Sequence, residues 1–527
     1  MAKLINEKVD AVIVGSGAAG SVMAARLATG GKQVIVLEAG PERRNADLVS
    51  STLWARRLKW HGDPVTESGD HPVAYVLNSG YGTGGAALHH YAVWPRLHPD
   101  DFRLRSRFDA GNDWPITYDD LRPHYDAVQA EAGISGDAKL EKWRPPGDPY
   151  PLPPVPVHAQ GEMIARGFSQ LGMATAPLPL AVTSKPYRNR PACIWDGWCD
   201  AGCPIGALAN PLTVYLPIAL AQGAQLRHNA TVTRILTDPK GKRAIGVEYV
   251  DAAGERHEQL ADLVVVAAFA VQTPRLLLAS TSDSHPQGLG NARDLVGRGI
   301  MTHAAGLVYG LFDEDSKCYM GAFGGQLLNQ DGYDKKRHAD KAALGSYQWM
   351  IAQAVKPNDL LGISTTRPDL TGRALDEFMH KAARGFASMT AVIEDIAQPG
   401  NRVSLGDARD SRGVPLARVH HDADPRSRKL WEAVLDEGKR VFEAAGAREV
   451  WTGPHGGMHI MGGTPMGHSP EMSVTNVYGQ LHDMPNVVIA GPGLFPSSGG
   501  VNPTFTVHAL ASRSAAHILA NWRDAIA

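Results

Sequence analysis

The segment VGSGAAG, from Val14 to Gly20, constrains this chain more than any other stretch. It follows an apolar run, Asp10 to Val14, that reads as a buried strand. It opens a run of small and apolar residues, Ala18 to Leu27, that reads as a helix packed tightly on a sheet. A second apolar run, Val34 to Leu37, completes a βαβ opening, which favours a parallel sheet with right-handed crossovers. Each glycine answers a separate demand: Gly15 permits the tight turn, Gly17 lets a pyrophosphate approach the helix N-terminus, and Gly20 lets helix and strand touch. Glu38 closes the second strand eighteen residues beyond Gly20 and is placed to accept a hydrogen bond from a ribose hydroxyl. The expectation is a dinucleotide site. The motif alone does not choose between FAD and NAD, but its position near the N-terminus and a discontinuous first domain lean towards FAD.

With 527 residues the chain is long enough for two large or three to four smaller cores. Lys plus Arg number 52 against 54 Asp plus Glu, so neither nucleic acid nor an anionic membrane is expected as the main partner. No apolar run is long enough to span a bilayer, and the first strand begins too early for a signal peptide. Location is therefore expected to be cytoplasmic, with export to the periplasm open through a signal-bearing partner.

Strand-like alternation returns at Ala230 to Leu236, Ala244 to Val250 and Leu263 to Ala267, followed by a helix at Thr273 to Ala279. Residues 41 to 160 read as long loop around one helix near Tyr118 to Ala132. From about Gly306 to Thr452 the pattern predicts a mainly antiparallel domain with a charged helix at Pro425 to Ala445. A last strand at Val487 to Ala490 and a helix at Phe505 to Trp522 predict a return to the first domain. The expected fold is thus α/β: a discontinuous Rossmann-like FAD-binding domain plus an antiparallel α+β substrate domain. Its boundaries are 1–310, 311–460 and 461–527.

Several further stretches resemble the glucose-methanol-choline oxidoreductase family: LEAGP at Leu37 to Pro41, TPRLLLAS at Thr273 to Ser280, VGRGIMTH at Val296 to His303, HIMGGTPMG at His459 to Gly467, and VNPTFTVHALA at Val501 to Ala511. Phe269 stands where that family usually has glycine. CIWDGWCDAGCPIGA at Cys193 to Ala207, DWPITYDDLRPHYD at Asp113 to Asp126 and GGAALHH at Gly84 to His90 are similar to bacterial sugar dehydrogenase large subunits. The resemblance implies oxidation of an alcohol on a sugar, glycoside, sugar acid or polyol, with hydride passing to flavin N5. His459 is then the general base, a role suited to imidazole near neutrality, and Asn502 holds the substrate oxygen. Gly84, Gly85, His89, Val232, Pro503 and Thr504 join the flavin contacts. His89, with His90 as rival, is the candidate for covalent flavin attachment.

Cys193, Cys199 and Cys203 form Cx5CxxxCP, and three thiolates suffice for a [3Fe-4S] cluster. Zinc with an added His or Asp, or three free thiols, remains open. A one-electron centre implies a dehydrogenase with an external acceptor. The resemblance adds a small accessory subunit or a cytochrome c as partner. An oxidase forming hydrogen peroxide and a lyase keeping flavin only as structure are the alternatives.

Overall fold

The computed structural model describes residues 8–337 and 342–527. Strand Val9–Val14 lies in the middle of an eight-stranded sheet, paired in parallel with Val34–Leu37 on one side and Arg256–Val266 on the other. Both neighbours are buried where they pair, which is why these strands read as continuous apolar runs. Helix Ala18–Thr29 covers the sheet and packs on helix Thr504–Ala520. Strand Met484–Ile489 adds in parallel beside Arg256–Val266, so the C-terminal segment does return to the first sheet. Thr231–Thr237 and Ala244–Val250 form an antiparallel extension attached to Arg256–Val266.

A second sheet of seven strands is antiparallel throughout. Its long strand, Met301–Leu311, pairs with Phe386–Ile393 on one edge and with Glu449–Thr452 and Gly456–Met461 on the other. Helix Pro425–Ala444 buries Leu430, Val434 and Phe442 against this sheet and Trp349. Burial of such side chains contributes about 1.5–3 kcal/mol each.

The helix expected at Thr273 begins a turn earlier, at Phe269, and runs to Ala279. Phe269 has φ +69, the left-handed region where glycine is at ease and an aromatic residue is strained. The departure from the usual glycine therefore falls at a backbone position with a steric reason for glycine.

Candidate active site

One cavity of about 1290 Å³ joins the glycine turn to the C-terminal motif. Gly15, Gly17, Glu38, Gly85, His89, Val232, His459, Asn502, Pro503 and Thr504 all line it. Gly20 and Gly84 stand behind the wall. A Cβ on Gly20 would lie 2.0 Å from the carbonyl oxygen of Gly15, and one on Gly17 would face the Gly84 carbonyl. Gly20 thus holds helix and turn in close approach, whereas at Gly17 there is room for a Cβ.

Ser16 ties this end together. Its hydroxyl donates to Glu38 Oε2 at 2.6 Å and accepts from the Gly84 amide at 3.0 Å. Glu38 also accepts from the backbone amides of Ser16 and Gly40. Burial nevertheless raises the carboxyl above the usual range, against the pull of these donors. Glu38 thus braces the glycine turn in addition to facing the cavity.

At the other end, His459 is aimed by a bulge. Met458 pairs with His303 and Ile460 pairs with Thr302, which leaves His459 as the extra residue between them, with φ +58. A bulge of this kind redirects one side chain without ending the strand. The ring of His459 touches two partners: Nε2 lies 3.2 Å from Asn502 Nδ2, and Nδ1 lies 3.0 Å from His303 Nδ1.

The tautomers follow from the carbonyl at the end of this chain. The Gly499 carbonyl can only accept, so His303 Nε2, 2.7 Å away, carries hydrogen and His303 Nδ1 is the acceptor. His459 must then donate through Nδ1, which leaves its Nε2 lone pair at the cavity, accepting from the Asn502 amide. Burial is the leading cause that holds both rings neutral. It lowers His303 to about 4 and carries His459 well below its ordinary value, with His303 adding to the effect.

Asn502 is fixed as well. Its Oδ1 accepts from Gln348 Nε2 at 2.7 Å, which turns the amide NH₂ towards His459. Helix Thr504–Ala520 starts directly after Pro503, so its positive end meets the cavity and favours negative charge there.

Sequence reasoning missed His303 and Gln348 as members of this constellation. His303 closes the VGRGIMTH motif and was legible as part of it. Gln348 carries no sequence signal, because it reaches Asn502 from a strand 154 residues away.

His89 and His90 have both ring nitrogens engaged. His89 Nδ1 accepts from Lys59 Nζ at 2.9 Å and its Nε2 donates to the Ser79 carbonyl. His90 accepts from the Ala92 amide and donates to the Ala209 carbonyl.

Cys193, Cys199 and Cys203 belong to one hydrophobic cluster, whereas Cys318 packs in another. Amides of Trp195 and Leu208 donate to the sulfurs of Cys193 and Cys203, each at 3.4 Å. Burial pushes the Cys193 thiol up to about 12 and raises the other two, so the bare thiols stay protonated. Among the described residues, no three His, Cys, Asp or Glu side chains are grouped to hold a metal ion.

GMC oxidoreductase family models match residues 9–305 and 397–511, together more than half of the chain. The chain belongs to the GMC oxidoreductase family. Among relatives of this GMC oxidoreductase, 2-methyl-1,2-propanediol dehydrogenase of Mycolicibacterium austroafricanum is 32% identical, covering 99% of this chain and 97% of the relative. The fructose dehydrogenase large subunit of Gluconobacter japonicus is 30% identical over 97% of each. Of solved structures, pyridoxine 4-oxidase from Mesorbium loti superposes with a TM-score of 0.68 at 20% identity, covering 96% of this chain and 98% of that one. This likeness shows the fold. The family makes the protein an FAD-dependent oxidoreductase acting on CH–OH donors, and among its described residues no helix is long and apolar enough to cross a membrane.

Proposed function

We propose that the protein oxidises an alcohol group of a sugar, glycoside, sugar acid or polyol, with His459 as the base and Asn502 as the group that holds the reacting oxygen. The observation that carries this reading is the lone pair left on His459 Nε2, 3.2 Å from the Asn502 amide. The names of relatives that act on a diol, fructose and gluconate support the substrate range.

The cavity fits FAD: the glycine turn has no Cβ in the way, a buried carboxyl stands beside it, and a helix N-terminus faces its other end. Gly15, Gly17, Glu38, Gly85, Val232, Pro503 and Thr504 would hold it, backed by Gly20 and Gly84. Bound FAD supplies an acceptor for the hydride leaving the carbinol carbon. His459 Nε2 takes the hydroxyl proton, and its Nδ1–H stays on His303. Asn502 donates to the substrate oxygen as charge grows there, an interaction typically worth about 10²–10³ in rate.

For the three cysteines the proposal is a [3Fe-4S] cluster with electrons leaving to an external acceptor, such as a cytochrome c or an accessory subunit. The Cx5CxxxCP spacing supports it. Amides point at two sulfurs, and the buried Arg190 guanidinium has no hydrogen-bond partner at its Nη1. A thiolate-bound centre would neutralise that cation and supply one-electron transfer.

An anaerobic absorbance titration with sugars, glycosides and polyols tests the reading. Bleaching near 450 nm by one of them, and iron with inorganic sulfide in the purified protein, are expected. A colourless protein that takes up no FAD would refute the oxidation. Vigorous peroxide formation without iron would refute the cluster in favour of an oxidase.

A further inference from the structure

The antiparallel register brings a buried carboxylate behind the catalytic pair. Ile393 pairs with Ala304, so the chain that follows it, Glu394 and Asp395, runs on beside His303 and Thr302. Asp395 Oδ2 accepts from the Thr302 amide at 3.0 Å. The Thr302 hydroxyl in turn donates to the Met458 carbonyl at 2.9 Å, directly before the bulge that aims His459. The backbone of Asp395 holds the opposite side. Its amide donates to Ser498 Oγ at 3.1 Å, and the Ser498 hydroxyl donates to its carbonyl at 2.8 Å. Ser498 precedes Gly499, whose carbonyl fixes the His303 tautomer. One residue thus grips the strand that carries His303, the start of the bulge, and the turn to which His303 donates.

Asp395 is itself held by a cation. The His71 carbonyl can only accept, so His421 donates to it through Nδ1 at 2.7 Å, and His421 Nε2 lies 2.8 Å from Asp395 Oδ2. Both ring nitrogens therefore carry hydrogen, and His421 is an imidazolium paired with the Asp395 carboxylate. Burial opposes that charge, but the carboxylate and the hydrogen bonds outweigh it and raise His421 above its ordinary value. The neighbouring His71 ring, 5.6 Å away, is lowered to about 4 by burial, with His421 adding to the effect, and stays neutral. The pair is sealed from water, with side-chain exposures of 0% and 4%, and Asp395 Oδ1 has no hydrogen-bond partner among the described residues. Such a pair is a poor way to stabilise a fold, because desolvation offsets much of its attraction. Its position supplies the reason to keep it.

We propose that Asp395, held by His421, is a positioning residue for the alcohol oxidation: it keeps Thr302, His303 and Gly499 in the arrangement that leaves the lone pair on His459 Nε2. The inference rests on the proposed role of His459 as base and adds the residue that sets its geometry. Because Asp395 acts through His303 and the bulge, its loss is felt in kcat far more than in KM.

The test is a double-mutant cycle on FAD-loaded protein, assayed with the sugar, glycoside or polyol that reduces the flavin fastest. Asp395→Asn keeps the size of the side chain and removes its charge. It should lower kcat roughly tenfold, less than the ~10² that a 1 Å misplacement can cost, with KM nearly unchanged. In a His303→Ala background the same substitution should change kcat little, because the ring it positions is gone. Ser498→Ala loosens the turn and leaves the buried ion pair in place, so it serves where Asp395→Asn does not fold; its several-fold loss of kcat should also vanish without His303. Native kcat in these variants would overturn the proposal. So would a loss of the same size with and without His303, or one confined to KM. Native turnover by His459→Gln would overturn the base assignment as well, whereas an impaired His459→Gln beside a fully active Asp395→Asn would overturn the positioning role alone.

Discussion

The Nδ1 atoms of His303 and His459 lie 3.0 Å apart, and only one of them carries hydrogen. Because the Gly499 carbonyl fixes the His303 tautomer, His303 decides which nitrogen of His459 keeps its lone pair. His303→Ala should therefore lower kcat by roughly 10–100-fold, part of the 10²–10⁴ a general base typically contributes. Steady-state kinetics on flavin-loaded protein measure this, with KM moving much less than kcat.

Several buried histidines make acid stability a second test. His90, His98, His303 and His508 are all lowered to about 4, with burial the first cause. Each is neutral in the fold but takes a proton near 6.5 when unfolded, so its contribution is fully present above 6.5 and is lost as pH falls towards 4. His421, raised by the Asp395 carboxylate despite its burial, offsets this in part. The melting temperature should fall between pH 7 and pH 4, and a flat profile over that window would contradict the burial assigned to these rings.

The ring nitrogens of His89 and His90 are occupied by Lys59, Ser79, Ala92 and Ala209. A covalent bond to flavin would break one of these contacts. Acid precipitation should release the flavin into the supernatant, and flavin retained in the pellet would contradict this.

Below the Gly499–Asn502 turn, Lys335 is buried between Asp101 at 2.7 Å and Glu394 at 3.1 Å. Tyr333 donates to Asp101 and accepts from the Gly500 amide, which connects the ion network to the turn. Lys335→Met leaves two buried carboxylates without their cation and should cost about 3–5 kcal/mol in chemical denaturation.

Local rules made part of this structure readable. Helix Tyr118–Ala132 has the expected bounds because Thr117 and Asp120 form a capping box and Gly133 ends it in the left-handed region. Strand Ala244–Val250 also falls where alternation placed it. The glycine turn was readable because Gly15 and Gly20 have steric reasons to be glycine that sequence context exposes. Gln348 was not, since it sits in a strand whose every residue is buried, and burial alone does not mark which polar side chain reaches the catalytic pair. Tertiary register created that contact. The bulge at His459 was equally hidden, because its extra residue exists only relative to the partner strand.

The most direct measurement is the rate of anaerobic flavin reduction in His459→Gln, loaded with FAD and mixed with the best substrate. The account predicts normal flavin uptake and a reduction rate lower by about 10²–10⁴. Reduction at the native rate would contradict it, because the proton would then be leaving the alcohol by a route that does not involve this imidazole.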